Sequence, residues 1–239
     1  MGRYTSAYSS FVLRLDEVET LRKFALIKER ENPVEMRSDI NALCRGSVVL
    51  LSSHLEAYIK ELGELALESL YTKSVSRDKL STRFFYHISK NILDELKDTS
   101  DPNKIADKVF EFIDLDTAYW CKDGTFPTSI PVERFNKGFS NPAFKKIRSY
   151  FNRFGYNHYK RDLASKLQAH YLPTINMVNH LVDIRNKIAH GDPEATKTPS
   201  EVQQMILIIK RYCAETDSVF ASWWKTGFCS IRCSSSDLI

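Results

Sequence analysis

The stretch Leu181-Val182-Asp183-Ile184-Arg185-Asn186-Lys187-Ile188-Ala189-His190-Gly191-Asp192-Pro193 decides how this chain is to be read. At about 100° per residue, Val178, Leu181, Val182, Ile188 and Ala189 fall where a helix can pack inward. Asp183, Asn186 and His190 share another face at i, i+3 and i+7, with Asn179 one turn before them. Gly191 suits the left-handed residue that ends a helix, and Pro193 prevents its continuation. Pro173 suits a first turn, where no backbone donor is needed. The spacing therefore predicts a helix over 171–190. Arg185 lies about 140° from His190, a flank neighbour whose long side chain reaches the same cleft where the helix stops.

Outward from this helix the period stays near 3.6. Ser9 to Arg30 reads as a helix with Phe11, Leu15, Val18 and Ala25 inward, broken by Pro33. Asp39 to Tyr71 reads as a long helix striped by Leu43, Val48, Leu51, Leu55, Tyr58, Leu62 and Leu70, with Gly46 and Gly63 marking close helix approaches or a bend. Residues 72–166 are less regular. Helical periods recur at Arg83–Asp98 and Lys104–Leu115, then a loop runs through Gly124, Pro127 and Pro131. Ser200 is expected to cap a last helix, Glu201 to Trp224, burying Val202, Met205, Ile209 and Tyr212. No stretch alternates like a strand. The expected fold is all-α, one domain over 1–239, with core helices at about 9–71 and 171–226 and an insertion of uncertain structure at about 72–166.

Composition agrees with a folded chain. Of 239 residues, 43% are hydrophobic and 27% charged, with eight glycines and eight prolines. Five scattered cysteines form no ligand pattern: Cys229 and Cys233 are close, but no second pair accompanies them, so reduced thiols are expected and neither metal nor cofactor. Met1-Gly2 with Ser6 fits a myristoylation pattern that is short and common by chance. The N-terminus lacks the apolar core of a secretory signal, and runs such as Val48–Leu51 are too short for a bilayer. A cytoplasmic protein with no membrane partner is expected.

The motif "RNKIAHG" at 185–191 resembles the Arg-x4-His motif of the HEPN superfamily, in the branch called RiboL-PSP-type HEPN, where "RN-x-(I/V)-AHG" is the recurring form. Val48 to Leu62, "VVLLSSHLEAYIKEL", resembles the second core helix of the same branch. The resemblance implies an HEPN-like helical bundle, a homodimer with motifs facing across one cleft, and metal-independent RNA cleavage in toxins or in defence and stress effectors. A neutralising or regulatory protein is the further partner such a role implies. One departure is Asp192: toxins paired with a minimal nucleotidyltransferase carry tyrosine there, so modification by an antitoxin at this spot is not expected.

The chemistry fits the residue types. Arginine stays charged and grips phosphate oxygens through a planar fork, while histidine exchanges a proton near neutrality. His190 is the candidate proton-transfer group on a ribose 2′-hydroxyl, Arg185 the stabiliser of the phosphorane, and Asn186 the group orienting phosphate or imidazole. Asp183 is a candidate partner for Arg185. Glu56, on the "SSHLEAYIK" helix, is placed either to orient His190, to pair with Arg185, or to face solvent.

Between Arg134 and Lys166, cations interleave with aromatics and only Asp162 opposes them. Lys145, Lys146, Arg148, Arg153, Lys160 and Arg161 are candidate phosphate contacts, and Tyr156 and Tyr159, with Tyr150 and His158, are candidate base contacts, RNA being the expected partner. The alternative is that the phenylalanines are core and the cations solvate a helix face. Two rivals to the enzyme stand beside it: a non-catalytic HEPN module binding RNA or protein, and a structural helical protein docking through Trp223-Trp224.

Overall fold

The structure, a computed structural model, describes residues 4–232. Met1, Gly2 and Cys233, part of two of the sequence patterns above, lie outside the described residues. Within them the chain is helical, without strands: α1 (Ser6–Glu31), α2 (Arg37–Thr72), α3 (Thr82–Ile88), α4 (Lys90–Asp98), α5 (Pro102–Asp116), α6 (Val132–Asn136), α7 (Phe144–Arg153), α8 (Tyr159–Leu167), α9 (Tyr171–Ala189) and α10 (Pro199–Gly227).

Helices α1, α2, α9 and α10 form the central bundle, with α2 touching the other three. Leu51, Leu55, Tyr58, Leu62, Leu67 and Leu70 of α2 are fully buried and meet Phe11 and Val18 of α1, Val178 and Leu181 of α9, and Ile209, Phe220 and Trp224 of α10 in one core. Two buried polar groups of this core are matched across helices, as desolvation favours. The Tyr58 hydroxyl donates to the Cys213 carbonyl at 2.9 Å, and the Trp224 indole N–H donates to Ser69 Oγ at 2.9 Å.

Two helix limits and the place of one aromatic pair differ from the sequence pattern. Thr198, not Ser200, caps α10: its hydroxyl accepts from Glu201 N–H while the Glu201 carboxylate accepts from Thr198 N–H, a reciprocal capping box with Pro199 as first helical residue. The single period at Arg83–Asp98 splits into α3 and α4 at Ser89. Trp224 is wholly buried, and the half-buried Trp223 stacks on Tyr156 with centroids 4.4 Å apart, so this pair is core and no outward anchor.

The middle segment is not loosely attached. Phe84, Phe126, Phe135, Phe139, Phe144, Ile147, Phe151 and Phe154 join the same core as the bundle. Arg77 gathers the loop after α5 by donating to the carbonyls of Ala118 and Asp123 and lying 5.7 Å from the Phe126 ring. Gly63 makes the junction of α7 with α2 possible: a Cβ there would stand 2.1 Å from Tyr150 Oη and 3.0 Å from Phe154 Cζ. Gly46, by contrast, has ordinary room beside Leu21.

Two predictions follow from this packing. Alanine usually stabilises a helix interior relative to glycine, but Gly63→Ala should destabilise by about 2 kcal/mol through overpacking, read as a melting temperature lower by roughly 4–8 °C. The second concerns Asp217, buried on α10, which accepts hydrogen bonds from the Thr5 N–H (3.1 Å) and hydroxyl. Burial pushes its carboxyl up to about 6, Thr5 opposing in part. The folded state thus holds this proton more tightly than the unfolded chain, so the stabilisation is complete below the unfolded value near 3.8 and lost as pH rises to about 6. Denaturant unfolding from pH 4 to 7 should show wild type losing up to about 3 kcal/mol relative to Asp217→Asn; parallel curves for the two proteins would contradict the assignment.

Candidate functional site

Helix α9 stops at His190, and the way it stops fixes the site. His190 N–H donates to the Asn186 carbonyl (2.9 Å), Gly191 N–H to Ile188 (3.1 Å) and Asp192 N–H to Lys187 (3.0 Å). Gly191 adopts φ +79°, the left-handed conformation this closure needs and glycine adopts at no steric cost. Arg45 of α2 donates to the Asp192 carbonyl at 2.8 Å, pinning the turn to the bundle. His190 thus has a fixed backbone and an exposed side chain. Its imidazole has no hydrogen-bond or ion-pair partner among the described residues.

One turn earlier, Arg185 is half-buried and its Nη1 donates to Asn141 Oδ1 at 2.9 Å and to Asn186 Oδ1 at 3.2 Å. Among the described residues no carboxylate pairs with it, and Asp183 faces solvent without touching it. The cation is therefore oriented by neutral acceptors that leave its charge unopposed at contact range. Asn141 was not visible in the sequence pattern. It belongs to the loop before α7, has φ +53°, and its N–H donates to Glu56 Oε2 at 3.0 Å. Glu56 also accepts from Lys60 at 2.7 Å. Glu56 thus meets the motif through Asn141, not by direct contact with Arg185 or His190. The only sequence signal for Asn141 was an asparagine in a Ser-Asn-Pro turn, a residue that tolerates left-handed backbone best after glycine.

The same loop starts α7, whose first turn has backbone donors without intrahelical partners. Asn179 of α9 supplies one acceptor, taking the Phe144 N–H at 3.1 Å. The motif face of α9 thereby anchors a helix whose outward side carries Lys145, Lys146 and Arg148, all exposed. Lys160 and Arg161 of α8 are exposed as well, Arg161 donating to Asp162 at 3.1 Å. Lys146 donates to the Ser140 carbonyl at 3.0 Å.

Four of the expected contacts are corrected. Tyr156 and Tyr159 are fully buried, as is Tyr150, so none can stack on a base. Tyr156 donates to Asp162 at 3.1 Å, and Tyr159 shares hydrogen bonds with Tyr212 (2.8 Å) and Thr216 (2.9 Å). Burial drives all three phenols well above their ordinary range, which keeps them neutral donors. Arg153 is half-buried, donates to the carbonyls of Phe135 and Lys137, and lies 5.3 Å from the Tyr150 ring. It secures the loop after α6 and is not a free phosphate ligand.

The arrangement brings together a solvent-facing imidazole, an oriented cation without a counter-charge, and a row of exposed cations. It can attract a phosphate, hold it through a planar fork and move a proton beside it. Among the described residues no three His, Cys, Asp or Glu side chains gather as a metal site would need. No helix there is long and apolar enough to cross a membrane. A family model described as RiboL-PSP-HEPN matches residues 12–222, a span that includes the middle segment. No curated protein and no solved structure matches the chain.

The left-handed Asn141 generates a stability prediction. Alanine normally constrains the unfolded chain more than glycine and so stabilises, yet here Asn141→Ala should unfold more easily than Asn141→Gly by about 1 kcal/mol, because only glycine keeps φ +53° without strain. Paired urea titrations check the order, and an Asn141→Ala at least as stable as Asn141→Gly would refute it.

Proposed function

The chain belongs to the RiboL-PSP-HEPN family, and on that footing we propose that it is a metal-independent endoribonuclease acting as a toxin or a defence or stress effector. The observation that carries the proposal is Arg185: half-buried, held by Asn141 and Asn186, and without a carboxylate partner among the described residues. A helix-end arginine that only stabilised the fold would be expected beside a carboxylate such as Asp183.

In the proposed reaction His190 removes the proton from a ribose 2′-hydroxyl, whose oxygen attacks the adjacent phosphorus. Arg185 and Asn186 stabilise the charge that grows on the non-bridging oxygens. The bond from phosphorus to the 5′-oxygen breaks, and that oxygen takes a proton, leaving a 2′,3′-cyclic phosphate and a 5′-hydroxyl. One chain supplies one exposed motif histidine, so separate base and acid call for a second copy: the proposal includes a homodimer with two motifs on one cleft. The exposed cations Lys145, Lys146, Arg148, Lys160 and Arg161 are proposed to draw in the RNA backbone.

The test is cleavage of a mixed RNA in EDTA. Wild type should yield cyclic-phosphate ends, and Arg185→Ala and His190→Ala should each fall by about 100-fold or more. Cleavage by His190→Ala at the wild-type rate would refute the mechanism. Persistent RNA binding without cleavage by any form would instead favour a non-catalytic HEPN module. Asn141 acts only through Arg185. Asn141→Gly should lower kcat by about 10-fold with KM little changed, and Asn141→Asp, which keeps an acceptor but sets a carboxylate against the guanidinium, should not restore it.

A further inference from the structure

Away from the motif, α3, the turn after α5 and α7 enclose an open cleft of about 690 Å³, whose walls include Arg83, Tyr86, His87, Trp120, Ser149 and Asn152. Asn152 also lines a second cleft of about 500 Å³ with Arg148, His158, Lys160 and Arg161. The shared wall makes one trough across the C-terminal half of α7. Arg83, Arg148 and Lys160 are exposed and have no carboxylate partner among the described residues.

The floor differs from the rim. The Trp120 indole N–H is spent on Ser89 Oγ at 2.8 Å, and the ring packs against Phe85 and Phe112, yet over a third of the residue is exposed. This fixes an aromatic surface at the trough's edge. Asn152 and His87 close the floor, with Asn152 Oδ1 and His87 Nδ1 buried beneath its surface. Burial, with Arg153, Arg83 and Lys90 nearby, holds His87 down to about 4, so it presents a neutral imidazole.

We propose that this trough is a clamp for single-stranded RNA, binding unpaired nucleotides a short distance along the strand from the phosphate at Arg185. Cations on the rim suit phosphates, while a fixed aromatic surface suits a base that is not already paired and stacked. Duplex RNA would offer the rim its phosphates but nothing to the floor. The link to the motif is α7, about 15 Å long at 1.5 Å per residue. Its N-terminus is tied to Asn179 of the motif helix, and its exposed face runs from Lys145 and Lys146 to Arg148 and Ser149, which line the trough. The position of the clamp relative to cleavage rests on the ribonuclease proposal, whereas the binding itself does not.

The experiment uses the full chain carrying His190→Ala, so that binding is read whether or not the wild type cleaves. Anisotropy titrations compare a labelled single-stranded 20-mer RNA with the same sequence as a duplex at one salt concentration. The single strand should bind at least about 10-fold more tightly, since its unpaired bases can stack on the floor while both forms offer phosphates to the rim. Adding Arg83→Glu should weaken single-strand binding by about 10-fold, and adding Trp120→Leu by a similar factor. Lys23→Glu, an exposed lysine on α1, should change it less than about 2-fold. Arg83 is exposed, so its variant reports binding even if Trp120→Leu perturbs packing. Equal affinity for duplex and single strand, or equal losses from Arg83→Glu and Lys23→Glu, would overturn the clamp. Tight single-strand binding by an otherwise wild-type chain that never cleaves would overturn the ribonuclease proposal and leave the clamp standing.

Discussion

Helix α2 packs against three helices of the bundle and against α7, and much of the architecture answers the burial of its inward face. Where neighbours come closest the side chain must vanish, as at Gly63 beneath Tyr150. Where polar atoms are trapped they must be matched, as Ser69 is by the Trp224 indole and Tyr58 by the Cys213 carbonyl. Most of its other buried positions are apolar, so α2 gives rigidity to whatever is attached to it. Both attachments to the candidate site begin there: Arg45 holds the turn after His190, and Glu56 holds the loop that holds Arg185.

The electrostatics of the site depend on what is absent from Arg185's contacts as much as on what is present. Neutral amide oxygens orient a guanidinium nearly as well as a carboxylate would, yet they do not cancel its charge. Only Nη1 is used in the described contacts, leaving other donors of the fork to a ligand. The surrounding exposed cations add a field that favours anions and weakens with salt.

Much of this was legible in the sequence. The end of the motif helix was fixed by Gly191 and Pro193, and the bundle helices by their apolar stripes, because both signals are local. The middle segment was harder to read because its helices are short, yet α7 carries its answer: Phe144, Ile147, Tyr150, Phe151 and Phe154 recur at helical spacing, and Lys145, Lys146, Arg148 and Ser149 lie between them. That pattern separates a buried face from a wet one, and it places the tyrosine inside. A tyrosine's polar tip suggests exposure, whereas here each ring is buried and each hydroxyl is bonded within the protein. Asn141 could not have been found this way. It lies 44 residues from Arg185, and nothing local states that its amide would bridge two helices.

Asn141 also changes what the motif's geometry is measured against. Through its side chain it touches α9 and through its main chain it touches α2, so Arg185 is aligned to the neighbouring helix as well as to its own. A small slide of α9 along α2 would leave the hexapeptide's internal spacing untouched while turning the guanidinium away from its line. The motif therefore behaves as a gauge of bundle registry, and substitutions deep in the α2–α9 seam, remote from any RNA, would be felt at the arginine before they were felt in the helix itself.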